Sequence, residues 1–212
     1  MNDENITLDE TAPSNSQTIS YDPMGDGVTL TTKPLEEEME VTGPMAAKLF
    51  VSSESVDADL FLVVRAFYPD FKEVVFKGAL DPHTPIAQGW LRASHRKLDD
   101  ALTRPDRPYH THDEKQPLNP GEIYELDIEI WPSCISLPKG FRIALSVRGR
   151  DYVYPGGADG GLSNMKNKFT GVGPFLHDDP RDRPLDIFGK TVTLHNTEAQ
   201  KSYVLLPVIP KK

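Results

Sequence analysis

An all-β fold of two packed antiparallel sheets follows from three observations. Nine short runs alternate in polarity or are rich in β-branched residues, turn residues stand between them, and helical periodicity is almost missing. The runs are 28–32, 45–51, 60–67, 73–80, 89–95, 123–130, 141–148, 191–195 and 202–208. Nineteen prolines and fifteen glycines, most of them between the runs, act as punctuation.

Taken in order, residues 1–25 are polar and acidic, with Pro13, Ser14, Asn15, Ser16 and Pro23, and are expected to be an extended or disordered lead-in. The sandwich is expected over 26–212. In the 123–130 run, Ile123, Leu126, Ile128 and Ile130 slip out of period after Tyr124, which fits a bulge or burial on both faces. Residues 98–102 form the one convincing helical turn, stopped by Pro105 and Pro108. Residues 154–186, rich in Gly, Asp and Pro, are too long for a hairpin and are expected to form a large surface loop, with a short helix around 164–168.

Composition removes several classes of function. The chain of 212 residues fits one sandwich domain, and no run approaches the ~18 apolar residues of a membrane span. The net charge of −9 is local: residues 1–40 hold ten acidic residues and one lysine, whereas 41–212 hold 22 of each sign. A balanced body offers no basic face to a phosphate backbone, so neither nucleic acid nor membrane is expected as a partner. Met1-Asn2-Asp3-Glu4 has neither the basic nor the apolar part of a secretory signal. With Cys134 as the single cysteine, this fits a reducing, cytoplasmic compartment.

Catalytic residues are sought in vain. The nearest approach to a Gly-x-Ser-x-Gly elbow is Gly161-Leu162-Ser163-Asn164-Met165, which lacks the closing glycine and follows loop rather than strand sequence. Two histidine groups draw notice: His110-Thr111-His112-Asp113, whose imidazoles would share a face on a strand, and His177-Asp178-Asp179. His95, between Arg92 and Arg96, reads as a strand-end residue pairing with carboxylates. Asp178, Asp179 and Asp182 suit calcium by type but not by spacing. No closed four-ligand pattern exists, so no metal and no cofactor is assigned, and folding is expected to need none. Trp131, beside Ile128 and Ile130 and before Pro132, is expected in the core, and Cys134 is expected as a small buried apolar side chain. Trp90, His110 and His112 are the candidate ligand-binding residues of a stand-alone module for carbohydrate or another small ligand.

Four motifs occur in a fixed order: Leu35-Glu36-Glu37-Glu38-Met39-Glu40-Val41-Thr42-Gly43-Pro44, Trp90-Leu91-Arg92-Ala93-Ser94-His95-Arg96, Asn119-Pro120-Gly121-Glu122-Ile123-Tyr124-Glu125-Leu126-Asp127-Ile128-Glu129-Ile130-Trp131-Pro132 and Tyr203-Val204-Leu205-Leu206-Pro207-Val208-Ile209-Pro210. Together they resemble the C-terminal non-catalytic domain of the X-Pro dipeptidyl-peptidase and CocE/NonD (cocaine-esterase-like) serine hydrolases, over roughly residues 8–210. The resemblance implies a jelly-roll β-sandwich of the galactose-binding-like type. It also implies that the catalytic triad lies on an α/β-hydrolase domain, and this sequence starts where that domain would have ended. The chain is therefore expected to be non-catalytic by itself, with that hydrolase domain as its partner.

In such hydrolases, loops at one end of the sandwich close a side of the active-site cleft. By position the 52–59 loop with Leu60 and Phe61 would supply that edge. The same apolar residues would then support a weak homodimer when the partner is missing.

Overall fold

The computed structural model describes residues 7–8, 16–78, 81–156 and 169–210. Its strands are β1 (Thr7–Leu8), β2 (Gln17–Tyr21), β3 (Val28–Thr32), β4 (Met39–Ser53), β5 (Asp59–Phe67), β6 (Glu73–Val74), β7 (Ala87–Arg92), β8 (Tyr124–Leu137), β9 (Arg142–Arg148), β10 (Val192–Asn196) and β11 (Tyr203–Leu205). A 3₁₀ turn (Ala93–His95) and one helical turn, α1 (Leu185–Phe188), complete the described elements. No helix among the described residues is long and apolar enough to cross a membrane.

Two antiparallel sheets make a sandwich. The first runs β1-β3-β9-β5, and the free edge of β5 pairs with β7 and then β6. Only β1–β3 is parallel. In the second, the long β4 pairs along one edge with β8 and along the other with β11 and β10, and β10 carries β2 outward. Inward side chains alternate as period two requires: Leu60, Leu62, Val64 and Ala66 on β5 meet Met45, Ala47, Leu49 and Val51 on β4 and Leu126, Ile128 and Ile130 on β8. Each such large side chain contributes about 1.5–3 kcal/mol when fully buried.

The first sheet is covered on its outer face as well, which is why 60–64 reads as a continuous apolar run. Residues 149–156 and 169–188 lie over it. His177 meets the ring of Phe61 edge-on at 5.4 Å, and the Arg183 guanidinium sits 5.0 Å from the same ring. Arg65 and Arg148 cover Tyr152, which is 1% exposed.

This layer corrects an expectation. Leu60 (0% exposed) points into the core and Phe61 (4%) lies under the loop, so neither can form a pocket edge or a contact between copies of the chain. A place beside a loop at the start of a strand does not reveal that the strand is covered twice.

Other differences are local. Residues 17–21 of the expected lead-in form β2, with Tyr21 buried, because a polar edge strand carries little apolar signal. The 73–80 run contributes only β6 before an isolated Phe76–Thr84 bridge. The 89–95 run ends its pairing at Arg92 and tightens into the 3₁₀ turn.

Residues 98–102 close a turn rather than a helix: Asp99 Oδ1 accepts from the amides of Ala101 (2.9 Å) and Leu102 (3.1 Å). The helical turn instead follows Pro184, inside the stretch read as loop. The 164–168 helix and Ser163 lie outside the described residues.

The bulge also falls elsewhere. Gly43 pairs with Ser133 and Met45 with Ile130, so Trp131 and Pro132 oppose Pro44 alone. Prolines on both sides remove the amides a regular ladder would need. Before the bulge the outward face of β8 carries Glu129 and Trp131, and Trp131 is 61% exposed rather than in the core. After it the parity inverts: Leu137 is buried and Cys134 is exposed, contrary to expectation, its Sγ accepting a hydrogen bond from Thr42 at 3.3 Å.

Candidate functional site

Where β7 and β8 meet, the two sheets close on each other. Gly89 makes this possible, since a Cβ there would stand 2.1 Å from the Glu129 carbonyl oxygen and 3.0 Å from Ile130 Cα. The residues after this contact flank the seam from outside. Trp90 meets Trp131 edge-to-face, with centroids 5.1 Å apart and planes at 71°.

These indoles form one wall of an open groove of about 500 Å³, whose other lining includes Tyr109, His110, His112, His95 and Glu129. Trp90, His110 and His112, the three candidate ligand residues, are thus brought together. Leu60 and Phe61 are not among them.

Arg92 sets the groove's rigid corner. Its guanidinium makes a two-bond fork with Asp59 (2.8 and 3.0 Å) and a second with Asp182 (3.0 and 2.8 Å), over the Phe188 ring at 4.5 Å. Arg92 holds the Asp182 carboxyl below its ordinary range. Asp179 is likewise drawn down by Arg181. Two of the three aspartates read as suited to calcium, Asp179 and Asp182, are therefore directed at different arginines. Arg92 itself already grips both its carboxylates, so it serves the groove as a fixed wall.

The imidazoles come from two segments. His95 ends the 3₁₀ turn, and His112 lies beyond the Leu98–His110 bridge in the left-handed region (φ 52°), a conformation uncommon outside glycine. Their Nδ1 atoms face each other at 3.2 Å. His110 packs beside His112 with centroids 6.0 Å apart, and its Nε2 is buried without a hydrogen-bond partner. Burial, then the charge of His112, lowers the pKa of His110 and favours the neutral ring. Lys97, paired with Asp113 at 3.0 Å, ties the His112 segment back to the turn after His95. Among the described residues no three His, Cys, Asp or Glu side chains converge where a metal ion could sit.

Chemically the groove offers aromatic faces, imidazoles and one carboxylate, and no serine, threonine or cysteine among its lining residues. The sequence reading missed Trp131, Tyr109 and His95 as members. Period-two counting from the buried Ile130 would have placed Trp131 outward; nothing local predicts that the 109–112 segment folds back beside His95.

A serine–histidine contact does exist elsewhere: Ser52 Oγ lies 2.8 Å from His195 Nε2. Ser52 is 8% exposed, and among the described residues no carboxylate orients the second nitrogen of His195, so this is a cross-strand contact and not a triad. His177, from the second of the two histidine groups, bonds Asp151 through both its amide (2.6 Å) and Nδ1 (3.0 Å), fastening the covering loop.

The fold is a β-sandwich with an outer groove, and among its described residues no catalytic centre is assembled. The model of the X-Pro dipeptidyl-peptidase C-terminal non-catalytic domain matches residues 3–205, and the chain belongs to that family. A putative serine esterase of Mycobacterium bovis is 33% identical over 131 residues, 58% of this chain and 19% of that protein. The cocaine esterase of a Rhodococcus species is 26% identical over 127 residues, 60% of this chain and 18% of that enzyme. The crystal structure of a CocE/NonD family hydrolase from Staphylococcus aureus superposes with a TM-score of 0.79 at 24% identity, covering 99% of this chain and 36% of that one. The chain therefore spans about a fifth of the curated relatives, and the structural likeness speaks for the fold.

Proposed function

We propose that this chain acts as the non-catalytic accessory domain of a CocE/NonD- or X-Pro dipeptidyl-peptidase-type serine hydrolase, helping to shape the acyl- or peptide-substrate pocket and to hold the assembly together. The chemistry, attack of a serine on an ester or amide through an acyl-enzyme, belongs in this reading to an α/β-hydrolase domain that the sequence does not contain. The observation that carries it is the family match across 3–205, joined to a structure in which no reachable nucleophile and base are assembled among the described residues. A reducing, cytoplasmic setting is part of the proposal and is supported by the single cysteine.

The test is genetic, then biochemical. The adjoining coding sequence should specify an α/β-hydrolase domain with a Gly-x-Ser-x-Gly elbow, in frame or in a neighbouring gene. Co-expression should give one assembly that cleaves activated esters or X-Pro amides. A gene with no hydrolase beside it, and a chain that stays separate from the hydrolase offered, overturns the reading.

A second reading, a small-ligand or carbohydrate-binding module, is supported by one specific observation: Trp90, His110 and His112 line a single groove beside the exposed Trp131. Saturable quenching of tryptophan fluorescence by a mono- or oligosaccharide, lost in Trp131→Ala, would favour it over the first.

A further inference from the structure

We propose that His95 and His112 form a two-imidazole chelate for a borderline-soft divalent cation such as Zn²⁺ in the lining of the groove. The inference is independent of the hydrolase reading.

Its basis is the convergence of two ring nitrogens. Nδ1 of His95 and Nδ1 of His112 lie 3.2 Å apart, with ring centroids at 5.4 Å. Two Zn–N bonds of about 2.0–2.1 Å at a tetrahedral angle hold their nitrogens about 3.3–3.4 Å apart, so the observed separation is that of two ligands on one ion. Without a cation the pair holds together only as long as one Nδ1 carries the proton and the other accepts it. Two protonated rings would repel, and two unprotonated nitrogens would oppose lone pairs. A cation with two acceptor positions satisfies both lone pairs at once.

The scaffold fixes both sides. His95 is held by the 3₁₀ turn behind Arg92, and His112 by its left-handed backbone together with the Lys97–Asp113 ion pair. Both rings line the groove, so the remaining coordination positions open toward it. Glu129 and the aromatic wall of Trp90 and Trp131 line the same space. With two protein ligands this is an open, exchangeable site rather than a structural one. Open positions suit an oxygen or nitrogen donor from a bound ligand. No change in covalent bonding or oxidation state is involved.

The experiment is calorimetric titration of the full chain with Zn²⁺, in a Cys134→Ser background so that the exposed thiol adds no ligand. One equivalent should bind. His95→Ala and His112→Ala should each weaken binding by more than about tenfold, because a chelate loses one of its two protein bonds. The double variant should abolish binding, and His177→Ala, which removes an imidazole from the covering loop, should leave it unchanged. Circular dichroism melts confirm that each variant is folded. Nitrogen-15 correlation spectra of the histidine rings supply a readout that a structural role would not move: the Zn²⁺-induced shift should fall on Nδ1 of both residues. Failure to saturate with Zn²⁺ overturns the proposal, as does binding that survives the double variant or shifts confined to Nε2.

Discussion

A half-buried imidazole gives stability a pH dependence whose sign can be fixed in advance. Burial lowers the pKa of His195 below its ordinary 6.5, and its Nε2 shares a hydrogen bond of 2.8 Å with the Ser52 hydroxyl. Between the lowered folded value and 6.5 the unfolded chain binds more protons than the folded one, so stability falls as pH falls through that window and is fully present above it. His110 is shifted the same way, so the two effects add. Denaturant midpoints taken between neutral and mildly acidic pH should therefore drop, and the slope should shrink, without vanishing, in His195→Gln. A midpoint that rises on acidification through the same window contradicts the assignment.

At the scale of elements, the covering loop is the part of the fold that local sequence concealed. Strand positions 28–32, 60–67 and 141–148 were legible because alternation and β-branching are local properties. What lies outside a sheet is not local. Asp59 on β5 is bound by Arg92 on β7 and by Arg183, 124 positions away, at 2.8 Å; Arg183 also donates to the His177 carbonyl at 2.5 Å and to that of Gly149. No spacing rule links those residues. The exposed Trp131 had a readable signal, since it shares parity with Glu129, but the bulge opposite Pro44 hid the inversion that exposes Cys134.

The arginine contacts lead to an element-scale prediction. Arg183→Met keeps an apolar stem over Phe61 while removing the charge, and it leaves Asp59 still held by Arg92. The cost should be about 2–3 kcal/mol, below that of fully orphaning a buried carboxylate. The same change should make 169–188 more open to limited proteolysis than the strands. Equal protection of loop and strands after the substitution would mean that Arg183 does not fasten this layer.

For the molecule as a whole, the question is whether a sandwich with scattered serines and histidines can turn over a substrate unaided. Nucleophilic catalysis needs a reachable hydroxyl, a base within hydrogen-bond distance and an orienting third group. Ser52 and His195 meet the distance requirement at 2.8 Å, but the serine is buried in β4. His177 has its orienting carboxylate in Asp151 on Nδ1, yet among the described residues no hydroxyl is bonded to its Nε2. The groove at Trp90 and Trp131 holds imidazoles, and no serine, threonine or cysteine stands among its lining residues. Among the described residues, reachable nucleophile, base and orienting acid thus sit in different places, so purified chain incubated with activated esters or X-Pro amides should show no hydrolysis above buffer. Ser52→Ala should leave that background unchanged. Turnover that disappears in Ser52→Ala, or in Ser163→Ala, would make this domain a hydrolase in its own right and would move the chemistry from a partner domain onto the sandwich.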